Sequence, residues 1–146
     1  MILFFDTSAL VKYFHYESGT EIVTQLIDSK ENQIWVLDIA RIEFFSALSR
    51  RFRIKEIDKN QYDEINTLFE AKSSVFNIII TDTAIIQLAE KLIKDIAKTS
   101  GLRTLDALHL AAYIFSCDTN WKFVTSDQIL CDIVKFLGHD FINPLQ

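Results

Sequence analysis

Five apolar runs punctuate the chain, at Ile2–Phe5, Ile34–Leu37, Phe76–Ile80, Lys122–Thr125 and, less apolar than the others, Asp140–Ile142. Each has the length and residue content of a β-strand. The segments between them carry the helical period instead. A helix starts at Ala9-Leu10-Val11, and Ile22, Val23, Leu26 and Ile27 repeat at helical spacing. Ile39, Ile42, Phe45 and Leu48 mark a helix that ends near Arg53, and Ile65, Leu68 and Phe69 mark the next. From Ala84 to Lys98 one stripe holds Ile85, Leu88, Leu92 and Ile96, with Glu90, Lys91, Lys94 and Asp95 opposite. Gly101 stands where a helix C-cap is expected, Leu105–Phe115 and Gln128–Leu137 complete the set, and Gly138 stops the last. Strands alternating with helices require crossover connections, so the pattern predicts an α/β fold around a mainly parallel sheet of about five strands. The consecutive apolar residues in WVL and FNIII predict strands covered on both faces.

With 146 residues, 49% of them hydrophobic, the chain fits one domain spanning 1–146, with a full core. Its three glycines are scattered and its one proline is Pro144, so no stretch reads as a linker. No apolar run approaches the roughly 18 residues of a membrane span, and no basic region precedes the first one, so a cytoplasmic protein without membrane attachment is expected. Cys117 and Cys131 read as ordinary buried thiols. The net charge of −5 argues against a general electrostatic grip on nucleic acid. It leaves room for an enzyme that meets phosphates through cations held by its own carboxylates.

Acidic residues recur at one topological position. Asp6, Asp38, Asp82 and Asp127 each follow a strand and precede a helix, at the sheet edge where open α/β folds place their sites. Helix capping accounts for each one singly, and is the reading given to Asp38 and Asp82. Glu43 and Asp106 are different, because ARIEFFSAL and LRTLDALHLAAYIF surround them with apolar residues. A carboxylate in such surroundings needs a partner. Arg103 is available to Asp106, and Arg41 or Arg50 to Glu43. If Asp6, Glu43, Asp106 and Asp127 converge, two of them 4 Å apart repel by about 4 kcal/mol at an effective dielectric of about 20. A cation among them relieves this, and oxygen ligands select Mg²⁺ or Mn²⁺. Such an ion activates water and neutralises a phosphoryl oxygen.

FFDTSALVKYF, Glu43 followed by FFSAL, the LRTLDALHLAA helix and FVTSDQIL together resemble the PIN-domain ribonucleases, above all the VapC-type toxins of toxin–antitoxin pairs. The likeness runs the length of the chain in the right order. It implies a three-layer α/β/α sandwich and a Mg²⁺- or Mn²⁺-dependent endoribonuclease. The catalytic acids it implies are Asp6, Glu43, Asp106 and Asp127, with Asp6, Asp106 and Asp127 as metal ligands and Ser8 or Thr125 as the strand-end hydroxyl. It further implies an RNA substrate, a homodimer and a cognate antitoxin lying over the groove. Asp38 departs from the pattern, since relatives often carry a small hydroxyl residue there.

Several features take plainer readings. His109, three residues after Asp106, is read as a packed or hydrogen-bonded imidazole, and His15 and His139 lack companions at zinc-ligand spacing. SRRFRIKEIDK reads as a charged turn, Asp132 as a solvated helix position, and the aromatics Tyr13, Phe14, Tyr16, Phe44 and Phe45 mostly as core. Lys12 and Arg103 lie nearer the presumed site and are the candidates for positioning phosphate. Thr7 and Ser8 are read as finishing the helix start and holding the second oxygen of Asp6. A dehalogenase-type hydrolase needs a second Asp two residues after the first, where this chain has Ser8. The reading from another class is a non-catalytic α/β protein that sequesters a partner, its carboxylates serving only as caps.

Overall fold

The computed structural model describes residues 1–146. Its strands are β1 (Ile2–Phe5), β2 (Gln33–Leu37), β3 (Asn77–Ile79), β4 (Trp121–Val124) and β5 (Phe141–Ile142). They form one sheet in the order β3-β2-β1-β4-β5, and every pairing is parallel. The helices are α1 (Thr7–Phe14), α2 (Thr20–Asp28), α3 (Ala40–Arg53), α4 (Lys59–Ser73), α5 (Thr83–Leu92), α6 (Lys98–Ser100), α7 (Thr104–Ser116) and α8 (Gln128–Phe136). No helix is long and apolar enough to cross a membrane.

Successive side chains of a strand point to opposite faces, and β1 uses both. Leu3 and Phe5 join a core with α1 to α4, while Phe4 joins a second core with α5, α7 and α8. The result is three layers, with helices on each side of the sheet. On the first side Phe44 of α3 stacks on Phe69 of α4 at 3.9 Å between ring centroids, and Phe14 of α1 meets both edge-on. Tyr16 is 79% exposed and lies outside this cluster, in contrast to its neighbours.

Two expectations change at the periphery. The stripe from Ala84 to Lys98 is not one α-helix: residues Ile93–Ala97 wind as a π-helix between α5 and α6. Ile93, Ile96 and Ala97 still pack on the second core, so the stripe is used although the winding widens. Gly101 and Gly138 do end their helices, both at positive φ. The run FNIII is not covered on both faces. At the sheet edge, Ile78 of β3 and Ile80 just beyond it are mostly exposed, whereas central β1 is buried.

Strand order determines where a site can form. From β1 the chain moves outward to β2 and β3, then returns to place β4 on the other side of β1. Open α/β sheets bind ligands at such a switch point, beyond the carboxyl ends of the strands. The register makes that edge level, since Phe5 is paired with both Val36 and Val124. Asp6 therefore emerges between the ends of β2 and β4. For the core, Phe69→Ala removes one ring of the stacked pair and is expected to lower unfolding stability by about 3–5 kcal/mol. Urea titration should show a lower midpoint at an unchanged m-value.

Candidate active site

Asp6 is 3% exposed, at the centre of the sheet's carboxyl edge. Its Oδ1 accepts the Ala9 backbone N–H at 2.9 Å, which caps α1. The Ser8 hydroxyl reaches both carboxylate oxygens, at 2.8 and 2.9 Å. Thr125 Oγ1, just beyond β4, donates to Oδ2 at 2.6 Å. Burial pushes the Asp6 carboxyl above its ordinary pKa, and these donors together with nearby His109 oppose that only in part. Both hydroxyls expected beside Asp6 are there. Thr7 is not: its hydroxyl turns away from the helix start and donates to Glu43.

Glu43 lies in the first turn of α3, with its side chain 23% exposed. Neither expected arginine meets it. Arg41 pairs with Glu70 of α4 and lies over the rings of Phe45 and Phe69, while Glu43 faces α1 and α7. Its Oε1 accepts the Thr7 hydroxyl at 2.9 Å and also contacts His109 Nε2. A carboxylate only accepts, so this contact places a ring proton on Nε2. Burial would raise the Glu43 pKa, but His109, by hydrogen bond and charge, and Thr7 outweigh it, and the carboxyl lies below its ordinary value. Glu43 is thus ionised at neutral pH, with Oε2 free of any protein hydrogen bond.

The other two acids share one cation. Arg103 precedes α7, and its Nε donates to Asp106 Oδ2 at 3.0 Å while a terminal nitrogen lies 3.5 Å from Asp127 Oδ2. Asp127 caps α8 through Oδ1, which accepts from the N–H groups of Ile129 and Leu130. Its own N–H donates to Thr125 Oγ1 at 3.1 Å, which ties it to Asp6 through one hydroxyl. Arg103 is 75% exposed, whereas the two carboxylates are only 21% and 23% exposed. The guanidinium is therefore the solvent-facing partner and the acids the more buried ones.

The remaining acids fall away from this group. Asp38 does not cap α3. It accepts from the backbone N–H and hydroxyl of Thr81, lacing the ends of β2 and β3 together. Asp82 caps α5 through Ile85 N–H, and Asp132 is exposed and accepts from Gln128. Lys12, a candidate for positioning phosphate, has a buried side chain whose ammonium donates to Glu17 at 3.2 Å, and Arg51 approaches the same carboxylate. Cys131 is buried, with its thiol pushed up to about 11 by desolvation, while Cys117 is only half-buried.

Four acids therefore sit along one edge, but they are not bare toward one another. Arg103 stands between Asp106 and Asp127, and His109 stands beside Glu43. No three His, Cys, Asp or Glu side chains close on a single point that could hold a metal ion. The donor chemistry nonetheless fits a hard cation, because Asp106 and Asp127 already converge on one positive group and offer only oxygen. Sequence reasoning missed His109 and Thr7 as partners of Glu43. The signal available was the spacing of His109 from Asp106, which puts both on neighbouring positions of α7.

An all-parallel three-layer α/β/α fold with acids gathered at its switch point defines a class that family comparison makes specific. The family model of the PIN domain matches residues 3–135, and the chain belongs to the PIN domain family. Solved structures similar to it include FitAcB from Neisseria gonorrhoeae, with a TM-score of 0.71 at 17% identity over 99% of this chain and 98% of that one. VapBC2 from Rickettsia felis, bound to a DNA fragment from its promoter, aligns with a TM-score of 0.66 at 18% identity over 98% of both chains. VapC20 from Mycobacterium tuberculosis, a toxin that cleaves the sarcin-ricin loop, aligns with a TM-score of 0.69 at 14% identity over 90% of this chain and 94% of that one. At these identities the likeness is one of fold. A search of curated protein sequences finds no match.

The raised Asp6 pKa has a testable sign. A buried acid with a raised folded-state pKa destabilises the native state at neutral pH, and this penalty disappears as pH falls through the folded value toward the unfolded one. Asp6→Asn keeps an acceptor for Ala9 and removes the charge. In chelator, the variant should melt above the wild type at pH 7, with the gap closing toward pH 4.

Proposed function

We propose that this protein is an endoribonuclease that hydrolyses RNA phosphodiester bonds with Mg²⁺ or Mn²⁺, acting as the toxin of a toxin–antitoxin pair. The observation that carries the reading is the pair of carboxylates, Asp106 and Asp127, converging on one cationic group beside buried Asp6. PIN-family membership and the fold shared with VapC20 and with the VapBC2 and FitAcB proteins support it. Asp6, Asp106 and Asp127 are the residues assigned to hold the ion. A divalent cation so held supplies water of lowered pKa and a neutralised phosphoryl oxygen.

The chain's own groups divide the remaining work. Ser8 and Thr125 keep Asp6 in place through its two oxygens. Glu43, ionised and with Oε2 unengaged, orients the attacking water and accepts its proton there. Arg103 would give up the acids to an ion held there and, being exposed, would be free to contact an RNA phosphate. Lys12, committed to Glu17, has no part. The RNA substrate lies along the carboxyl edge of the sheet, and a cognate antitoxin and a second copy of the chain are the expected protein partners.

Purified protein is incubated with total cellular RNA in Mg²⁺, in Mn²⁺ and in chelator, beside Asp106→Asn, and new 5′ ends are sequenced. Ends that require the metal and vanish in the variant are expected. Folded, partner-free protein that makes no new ends would instead favour the non-catalytic binding protein. Arg103→Ala removes the competing cation, so calorimetry should show Mn²⁺ binding several-fold tighter while cleavage slows. Unchanged Mn²⁺ affinity would remove Arg103 from the ion's site.

A further inference from the structure

The structure assigns His109 as the positioning residue of Glu43: it clamps one carboxylate oxygen from across the sheet and leaves the other open. This inference rests on the nuclease reading and adds a residue to it. His109 belongs to α7 on one side of the sheet, and Glu43 and Thr7 belong to α3 and α1 on the other. The three meet only over the carboxyl edge. Both donors, Thr7 Oγ1 and His109 Nε2, converge on Oε1, and Thr7 Oγ1 lies 3.4 Å from the same ring nitrogen. With Oε1 held from two sides, rotation of the carboxylate is blocked and Oε2 has one orientation.

The imidazole has no other employment. It is 2% exposed, and its second nitrogen, Nδ1, is buried without a partner. Phe4 packs edge-on against the ring at 6.4 Å between centroids, so its orientation is set by the core. A leucine would fill the same apolar space without stranding a polar atom, and leaving a buried polar atom unpaired is destabilising. The site thus carries a group that core packing disfavours, whose polar contacts are confined to Glu43 and Thr7. Glu43 is partly exposed and keeps Thr7 when the ring is lost, so removal of the ring leaves no bare buried charge.

His109→Leu and His109→Gln separate positioning from packing, because the Gln side-chain amide can donate where Nε2 does and Leu cannot. Cleavage of total cellular RNA in Mn²⁺ is followed as the rate of appearance of new 5′ ends, and each variant is melted in parallel. We expect His109→Leu to slow cleavage by about 10- to 100-fold at a melting temperature no lower than wild type. His109→Gln should recover most of that loss. Wild-type cleavage in His109→Leu would overturn the assignment while leaving the nuclease intact. A fall in melting temperature that tracks the loss of cleavage, or failure of Gln to recover it, would reduce His109 to a packing role. A wild-type protein that cleaves nothing overturns the nuclease reading and this one with it.

Discussion

A carboxylate withdrawn from water at the centre of the sheet sets the terms for everything around it. Taking the charge of Asp6 out of solvent is expensive, and no cationic side chain touches it. Three neutral donors from two parts of the chain close on it and offset part of that cost. Ala9 and Ser8 follow it on α1, but Thr125 arrives from β4. That last bond demands the parallel β1–β4 register, in which Phe5 faces Val124. One residue of slip would turn Thr125 away and send its neighbours to the wrong core.

Around this centre the charges divide into two local settlements. On the β4 side Arg103 neutralises Asp106 and Asp127, and on the β2 side His109 and Thr7 hold Glu43. The first turns of α7 serve both, with Asp106 and His109 on neighbouring positions, Asp106 meeting Arg103 and His109, three residues on, meeting Glu43. The two settlements differ in kind. Arg103 is mostly in solvent and can be displaced, whereas His109 is packed in the core and cannot. One acid pair is therefore neutralised by a solvent-facing cation, and the other acid is held by a buried ring.

Much of this was legible in the sequence, and the exceptions share a cause. The strands fall within a residue of their apolar runs at nearly every boundary, because a buried parallel strand has few alternatives. The acids at the strand ends were visible from order alone. Their partners were not. Arg41 and Arg50 are close to Glu43 along the chain, yet Glu43 finds its partners on α1 and α7, because pairing depends on where the helices land on either side of the sheet. Asp38 read as a cap for the same reason: its acceptor role is taken by Thr81, which only the β2–β3 pairing brings near. Lys12 looked close to the site by count, but Glu17, in the loop between α1 and α2, pairs with it. Interruption of the long fifth helix by a π-turn had no local signal in its residues.

The position of the first strand has a consequence for how the molecule comes into being. Asp6 is synthesised well before Thr125, its partner, which lies 119 residues later. At about 5–20 residues per second that separation is many seconds of translation, during which β1 lacks one of its two neighbours. No nascent chain that stops short of β4 assembles the acidic edge. Completion of the acidic edge is thereby tied to synthesis of β4, and a nascent chain that stops before it lacks the bond that joins Asp6 to Thr125.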